Sequence, residues 1–186
     1  MQLADDAIVD AGAGTQLDFD NAVYLDGHTL TLAGSGIVNI NNTLVTGEGG
    51  SVISLGGLGG SGTIFGDLTS TGTLAVTLGQ LSGVAGLSVV GTANLAGTID
   101  LLLPEGTLVE AGNSFTVLSA TDIVNHRLQL APEDSRNFRL IVGDSQIVVQ
   151  SIVPEPSGGM TLAVLLTCLV HFRRFKPGHR HSKHFA

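Results

Sequence analysis

The sequence predicts an all-β fold: a parallel β-helix or solenoid-like body with a β-hairpin cap, followed by one C-terminal transmembrane-type helix. Three observations carry this. Short apolar runs alternate with glycine turns from Leu17 to Ile99. Similar stretches recur at spacings that suit one rung of a solenoid. The chain then ends on a proline knuckle, an apolar run and a group of basic residues, "VPEPSGGMTLAVLLTCLVHFRRFK" from Val153 to Lys176.

Residues 1–103 form the repeated part. Alternation is plain in Thr29-Leu30-Thr31-Leu32 and in Leu74-Val76-Leu78, the period-two pattern of half-buried strands. Glycine interrupts every window that starts a helical period. "AGSGIVNI" from Ala33 and "GGSGTIFG" from Gly59 set Gly-Ser-Gly before an apolar pair 26 residues apart. "GSVISLG" from Gly50 and "GTLAVTLG" from Gly72 repeat a strand 22 residues apart. Each rung would bury a stripe of Leu, Val and Ile, with Gly and Asn at the corners. An antiparallel sandwich of hairpins is the competing arrangement, because it gives the same alternation without a fixed period.

Residues 104–152 change texture. "PEGTLVEAGNSFTVLSATDIV" and "RNFRLIVGDSQIVVQSIV" read as three or four longer strands, parted by a loop at Ala131 to Ser135. Capping strands are their expected role, since the last rung would otherwise present unpaired edges.

Composition narrows the function classes. Hydrophobic residues make up 43% and charged residues 13%, which disfavours disorder for most of the chain. The net charge of −8 hides an asymmetry. All sixteen acids lie at or before Glu155 against only Arg127, Arg136 and Arg139, a net of −13 for residues 1–156. The last thirty residues hold five basic side chains and no acid. A body this acidic repels phosphate backbones, so no nucleic acid partner is expected. The single Cys168 excludes an internal disulfide and a cysteine-based zinc site.

The tail divides into a Pro-Glu-Pro linker at 153–157, an apolar helix at 158–172 and a basic stretch at 173–186. Pro154 and Pro156 hold φ near −65° and lack a donor, so the linker stays extended and accessible. The fifteen residues from Gly158 to Phe172 reach about 22 Å as a helix, short of a hydrocarbon core of about 30 Å. Local thinning and snorkelling arginines close that gap. The basic cluster stays cytoplasmic by the positive-inside rule, leaving the acidic body outside.

Val153-Pro154-Glu155-Pro156-Ser157, the apolar span from Met160 to Phe172, and Arg173-Arg174 together resemble the PEP-CTERM protein-sorting signal. That resemblance implies export, anchoring by the C-terminal helix, and processing near the Pro-Glu-Pro motif by an exosortase-type enzyme. It makes Val153 to Ser157 the sorting and processing motif, and Arg173, Arg174 and Lys176 the stop-transfer residues. The body shows a second likeness. "LDGHTLTLAGSG" from Leu25 resembles the strand repeat beside bacterial autotransporter passengers. The stretch from "LSGVAGLSVVG" through "EAGNSFTVLSA" to "FRLIVGDSQIVVQSIVPEP" is similar to the closing module of large surface proteins of exopolysaccharide-producing bacteria. The opening "MQLADDAIVDAGAG" has neither a basic start nor an apolar core, so an export signal is expected upstream of this chain.

Chemical motifs are sparse. Gly57-x-Gly59-x-x-Gly62 matches a dinucleotide fingerprint in letters, but no helix-forming segment follows it to hold a pyrophosphate. "GGLGGS" from Gly56 approaches a calcium-roll repeat, with Ser61 where the aspartate ligand belongs. Asp18, Asp20 and Asp26 could cluster around a hard cation or act as an acid pair on a glycan; solvated turn carboxylates are the plainer assignment. His179, His181 and His184 sit in the basic tail, and His28 and His126 stand alone. Gly-x-Ser-x-Gly is absent. The expectation is therefore no enzyme, no cofactor and no metal. The chain should be an exported cell-surface or matrix protein of structural or adhesive type, first membrane-anchored, with extracellular polysaccharide as its partner. Two rivals stand beside it. One is a fragment of a β-helix polysaccharide-degrading enzyme. The other is an ice- or glycan-binding surface carrying threonine rows such as Thr29/Thr31 and Thr69/Thr71/Thr73.

Overall fold

The computed structural model describes residues 1–79, 83–107 and 109–152; they belong to one compact unit. The chain winds through rungs of three short strands each. The first rung holds β1 (Ala7–Ala11), β2 (Gln16–Phe19) and β3 (Val23–Tyr24). The second holds β4 (Thr29–Gly34), β5 (Ile37–Ile40) and β6 (Thr43–Val45). The third holds β7 (Ser51–Ser54), β8 (Gly57–Gly59) and β9 (Thr63–Phe65). Next come β10 (Asp67–Ser70), β11 (Thr73–Thr77), the long β12 (Gly83–Leu95) and β13 (Thr98–Leu102). The last strands are β14 (Ser114–Asn125), β15 (Gln129–Leu130), β16 (Phe138–Val142) and β17 (Gln146–Ser151).

Every strand up to β13 pairs in parallel with its counterpart one rung on. One ladder runs β1-β4-β7-β10-β12-β14, a second β2-β5-β8-β11-β13-β15, and a third β3-β6-β9-β12. The parallel pairing removes the antiparallel sandwich and gives an all-β, solenoid-like body. Strands alternate in burial as the sequence predicts, with Leu30 and Leu32 of β4 inside and Thr29 and Thr31 outside. In-register stacking then lines up apolar columns. Leu30, Val52, Leu68 and Ala93 form the first. Val38, Leu58, Leu74 and Ile99 form the second, and Leu44, Ile64 and Val89 the third. All are 3% exposed or less, so each larger member contributes about 1.5–3 kcal/mol of burial.

The register differs from the spacing read in the sequence. Ile37 pairs with Gly57, whereas Thr63 pairs with Thr43 on another ladder, so the 26-residue match joined two different faces. Ser51 pairs with Asp67 and Thr73 with Gly57, so the 22-residue match did the same. Thr29 pairs with Ser51, Ser51 with Asp67, Leu68 with Ala93 and Ala93 with Ile123. Rungs on that ladder therefore advance by 22, 16, 25 and 30 residues. Backbone pairing fixes the rung, while corner length is free to vary.

Two strands turn a corner without breaking. Ser88–Val90 of β12 pair with β9, while Ala93–Leu95 pair with β10. Gly91 sits at that bend, where a Cβ would lie 2.6 Å from the Gly66 carbonyl carbon. The far end is closed by a hairpin. β16 and β17 pair antiparallel, and β17 covers the free edge of β14 from Ser114 to Ser119. Phe115, Phe138, Ile147 and Val149 are buried there. A 3-10 turn at Asp134–Arg136 precedes the hairpin, and Asp134 Oδ2 accepts the Leu101 N–H at 2.9 Å.

Candidate functional site

The outer face of the second ladder carries the most developed site. Leu17, Val38, Leu58, Leu74 and Ile99 share one pleat position on its strands, so the residues flanking them stand outward. On β2 and β5 those positions hold Gln16, Asp18, Ile37 and Asn39, and Asp18 pairs directly with Asn39. On β8 they hold Gly57 and Gly59. Beside them opens a groove of about 530 Å³, lined by Gln16, Asp18, Asn39, Asn41, Gly60, Ser61, Ala75 and Thr77 among others. Gly60 adopts φ +102°, and a Cβ there would meet the Ile40 backbone. A Cβ on Gly59 would meet the Asn39 side-chain oxygen and lie 2.9 Å from the Ala75 carbonyl.

The polar end of the groove is tied together. Asn39 Nδ2 donates to Asp18 Oδ1 at 2.7 Å, and Gln16 Nε2 donates to the same oxygen at 2.9 Å and to Oδ2 at 3.2 Å. Asn41 Nδ2 donates to Asp20 Oδ1 at 2.9 Å. These amide bonds, Asn39's first and Gln16's second, hold the Asp18 carboxyl below the usual carboxylate range. Asp18 is therefore an ionised acceptor near neutrality and unsuited to donate a proton to a leaving group, which requires a raised pKa. Among the described residues no lysine, arginine or histidine lines the groove. In an NMR titration Asp18 should protonate below the ordinary value near 3.8, and Asn39→Ala should move that midpoint upward. A midpoint unmoved by Asn39→Ala would break the link.

The three acids singled out in the sequence do not converge. Asp18 and Asp20 lie near the groove with separate amide partners. Asp26 occupies a corner at φ +54° and accepts from Gln2. Among the described residues the one group of three potential ligands is Asp5, Asp6 and His28, with ligand atoms within 4.8 Å of one another. Asp6 has a structural task there: its Oδ1 accepts the Thr29 N–H at 2.8 Å and lies 3.7 Å from His28 Nδ1. Asp67 repeats the device, accepting the Thr92 N–H at 2.8 Å. In each case a carboxylate caps the backbone N–H of a residue one rung on, a role invisible without the register.

The remaining candidates are dispersed. Thr29 and Thr31 face outward on the first ladder, where their columns continue as Ser51 and Asp67 and as Ile53 and Thr69. Thr73 belongs to the second ladder. The threonines therefore make no continuous row. Gly57 and Gly59 lie within β8 and Gly62 just before β9, a strand context that cannot seat a pyrophosphate. The outward column of the third ladder exposes Tyr24, Phe65 and Val90, joined through Val45. Sequence reading missed the groove. Its parts, Gln16, Asn39, Asn41 and Gly60 among them, make no motif in the sequence, and only the strand register assembles them.

Val153, Pro154, Glu155, Pro156 and Ser157, the apolar run at 158–172, and Arg173, Arg174 and Lys176 lie outside the described residues, as do Cys168 and the tail histidines. No helix among the described residues is long and apolar enough to cross a membrane. Comparison of the chain with family models, curated proteins and solved structures finds no match.

Proposed function

We propose that this chain is the surface-exposed body and sorting tail of an exported bacterial protein with a structural or adhesive role. One observation carries the reading. A Pro-Glu-Pro knuckle, an apolar run and Arg173-Arg174-Lys176 follow in that order directly after the last strand of the body. Each piece is weak alone; their order makes an address. In this reading residues 158–172 hold the precursor in the membrane and the basic stretch stays cytoplasmic. An exosortase-type enzyme then processes the Pro-Glu-Pro segment at Val153 to Ser157. The parallel ladders support a spacer role, because stacked rungs give a long surface whose turns vary without disturbing the backbone. No catalytic step and no cofactor belong to this function.

The test places the full chain behind an export signal in a host that carries the processing enzyme. The protein is expected first in the membrane fraction, then at the surface without a basic fragment beginning near Pro154 to Ser157. Pro154→Ala with Glu155→Ala should leave the precursor anchored and uncut. Arg173→Glu with Arg174→Glu should disturb its orientation. Mass spectrometry of the mature surface form decides: recovery of an intact C-terminal peptide through Ala186 overturns processing.

A further inference from the structure

We propose that the groove on the outer face of the second ladder binds an extended, neutral glycan chain, with Asp18 as its central hydrogen-bond acceptor. This deepens the adhesive reading, on which it rests only for access to an extracellular polymer. Three features of the groove specify the ligand class. First, the amides of Gln16, Asn39 and Asn41 spend N–H groups on Asp18 and Asp20. What they leave toward a ligand is mostly amide oxygen and carboxylate lone pairs. An acceptor-rich wall calls for a donor-rich ligand, and a chain of sugar hydroxyls is one. Second, among the described residues the lining carries a fixed negative charge and no cation, which disfavours uronate, sulfate or phosphate polymers. Third, the groove crosses strands from β2 to β13, from Gln16 in the first rung to Leu102 in the fifth. Strands are spaced about 4.8 Å apart, close to the advance of a single sugar residue in an extended polymer. A chain laid along the rungs therefore meets an equivalent backbone position at every residue. Gly60 and Gly79 in the lining carry no side chain to hold a ligand off the sheet, and Ile37 and Leu102 offer apolar patches for ring faces.

The amides also preorganise the site. Asp18 is locked by three hydrogen bonds from two neighbours, so little side-chain freedom is lost when a hydroxyl arrives. A metal ion is a poorer occupant. Asp18 and Asp20 do not join any group of three acid or histidine ligands among the described residues.

The experiment is affinity electrophoresis of the full chain through gels containing dextran, hydroxyethylcellulose or the polyanion alginate, with no sorting machinery present. Failure here leaves the sorting address untouched, and failure of sorting leaves this result untouched. The wild-type protein should be retarded by at least one neutral polymer and not by alginate. Asp18→Asn, which keeps the shape and removes the charge, should weaken retardation by about tenfold, the scale of a hydrogen bond to a charged group. Thr77→Arg, an outward position at the other end of the groove, should block it by bulk. Unchanged thermal melting of both variants ties the loss to the groove. Tyr24→Ala and Phe65→Ala, on the apolar column of the third ladder, should leave retardation unchanged. The proposal is overturned if neither neutral polymer retards the wild type, or if alginate retards it equally. It is also overturned if binding follows Tyr24 and Phe65 while Asp18→Asn and Thr77→Arg are silent.

Discussion

Leu58→Ala is expected to lower the free energy of unfolding by about 2–5 kcal/mol, in the upper half of that range. Leu58 is fully buried in the column between Val38 and Leu74. The cost of such a truncation depends on how far the neighbours can collapse into the space. Here they have little to offer, because Val38 and Leu74 are held in register on both sides of Leu58 by the backbone ladder. A small void of about 10 Å³ already borders Leu58, Leu74 and Val76, and the removed carbons would enlarge it. Parallel backbone bonds to β5 and β11 hold the strand in place on both sides. Denaturant unfolding measures the loss as a lower midpoint at constant slope. Ile8→Ala is the companion control: Ile8 is 74% exposed and should change stability by less than about 0.5 kcal/mol. A Leu58→Ala effect as small as that of Ile8→Ala would mean that the inner column is misassigned.

The same column explains what the sequence disclosed and what it withheld. Alternation at Thr29 to Leu32 identified strand and face directly, because period two is a local property. Register is not local. Gly-Ser-Gly precedes β5 at Gly34 to Gly36 and precedes β9 at Gly60 to Gly62, so matching letters slid one face of the body onto another. Any of Leu, Val and Ile serves in an inner column, so residue identity cannot anchor the alignment. Corners obscured it further: β12 and β14 pass through them as continuous strands, and the register shift between Val89 and Thr92 is where β12 bends. The groove depends on this hidden register. Asp18, Asn39 and Gly59 lie about twenty residues apart in sequence yet on neighbouring strands of one sheet. Only pairing brings one carboxylate, its two amide partners and the turn at Gly60 to one concave polar surface.

Asp134 was passed over as part of a loop, and it carries the second large expected effect. The second ladder runs out of partners at its last rung, since β15 pairs only with Thr98 and Ile99 of β13. The Leu101 N–H would otherwise face no strand, and Asp134 Oδ2 takes the missing position at 2.9 Å. Asp134→Ala should therefore orphan a buried donor and cost about 1–3 kcal/mol. Asp134 as a whole residue is only 8% exposed. Burial is the main cause pushing its pKa above the usual value; the Leu101 N–H pulls against it, while Asp100 and Glu133 add to it. A raised folded-state pKa means that the folded protein holds the proton more tightly than the unfolded chain does. Its contribution is thus most favourable below the unfolded value near 3.8, and it weakens as pH rises through the folded value. Asp134→Asn separates charge from hydrogen bond: its side-chain oxygen can still accept from Leu101, and no ion is buried. The Asn variant should match or exceed the wild type in stability at pH 7. That advantage should shrink on acidification as the wild-type carboxyl takes up its proton, while the Ala variant stays below both. Parallel denaturant titrations of the three proteins from pH 3 to pH 7 read this out. An Asn variant as unstable as the Ala variant at pH 7 would show that the charge, and not the acceptor, holds the end of the ladder.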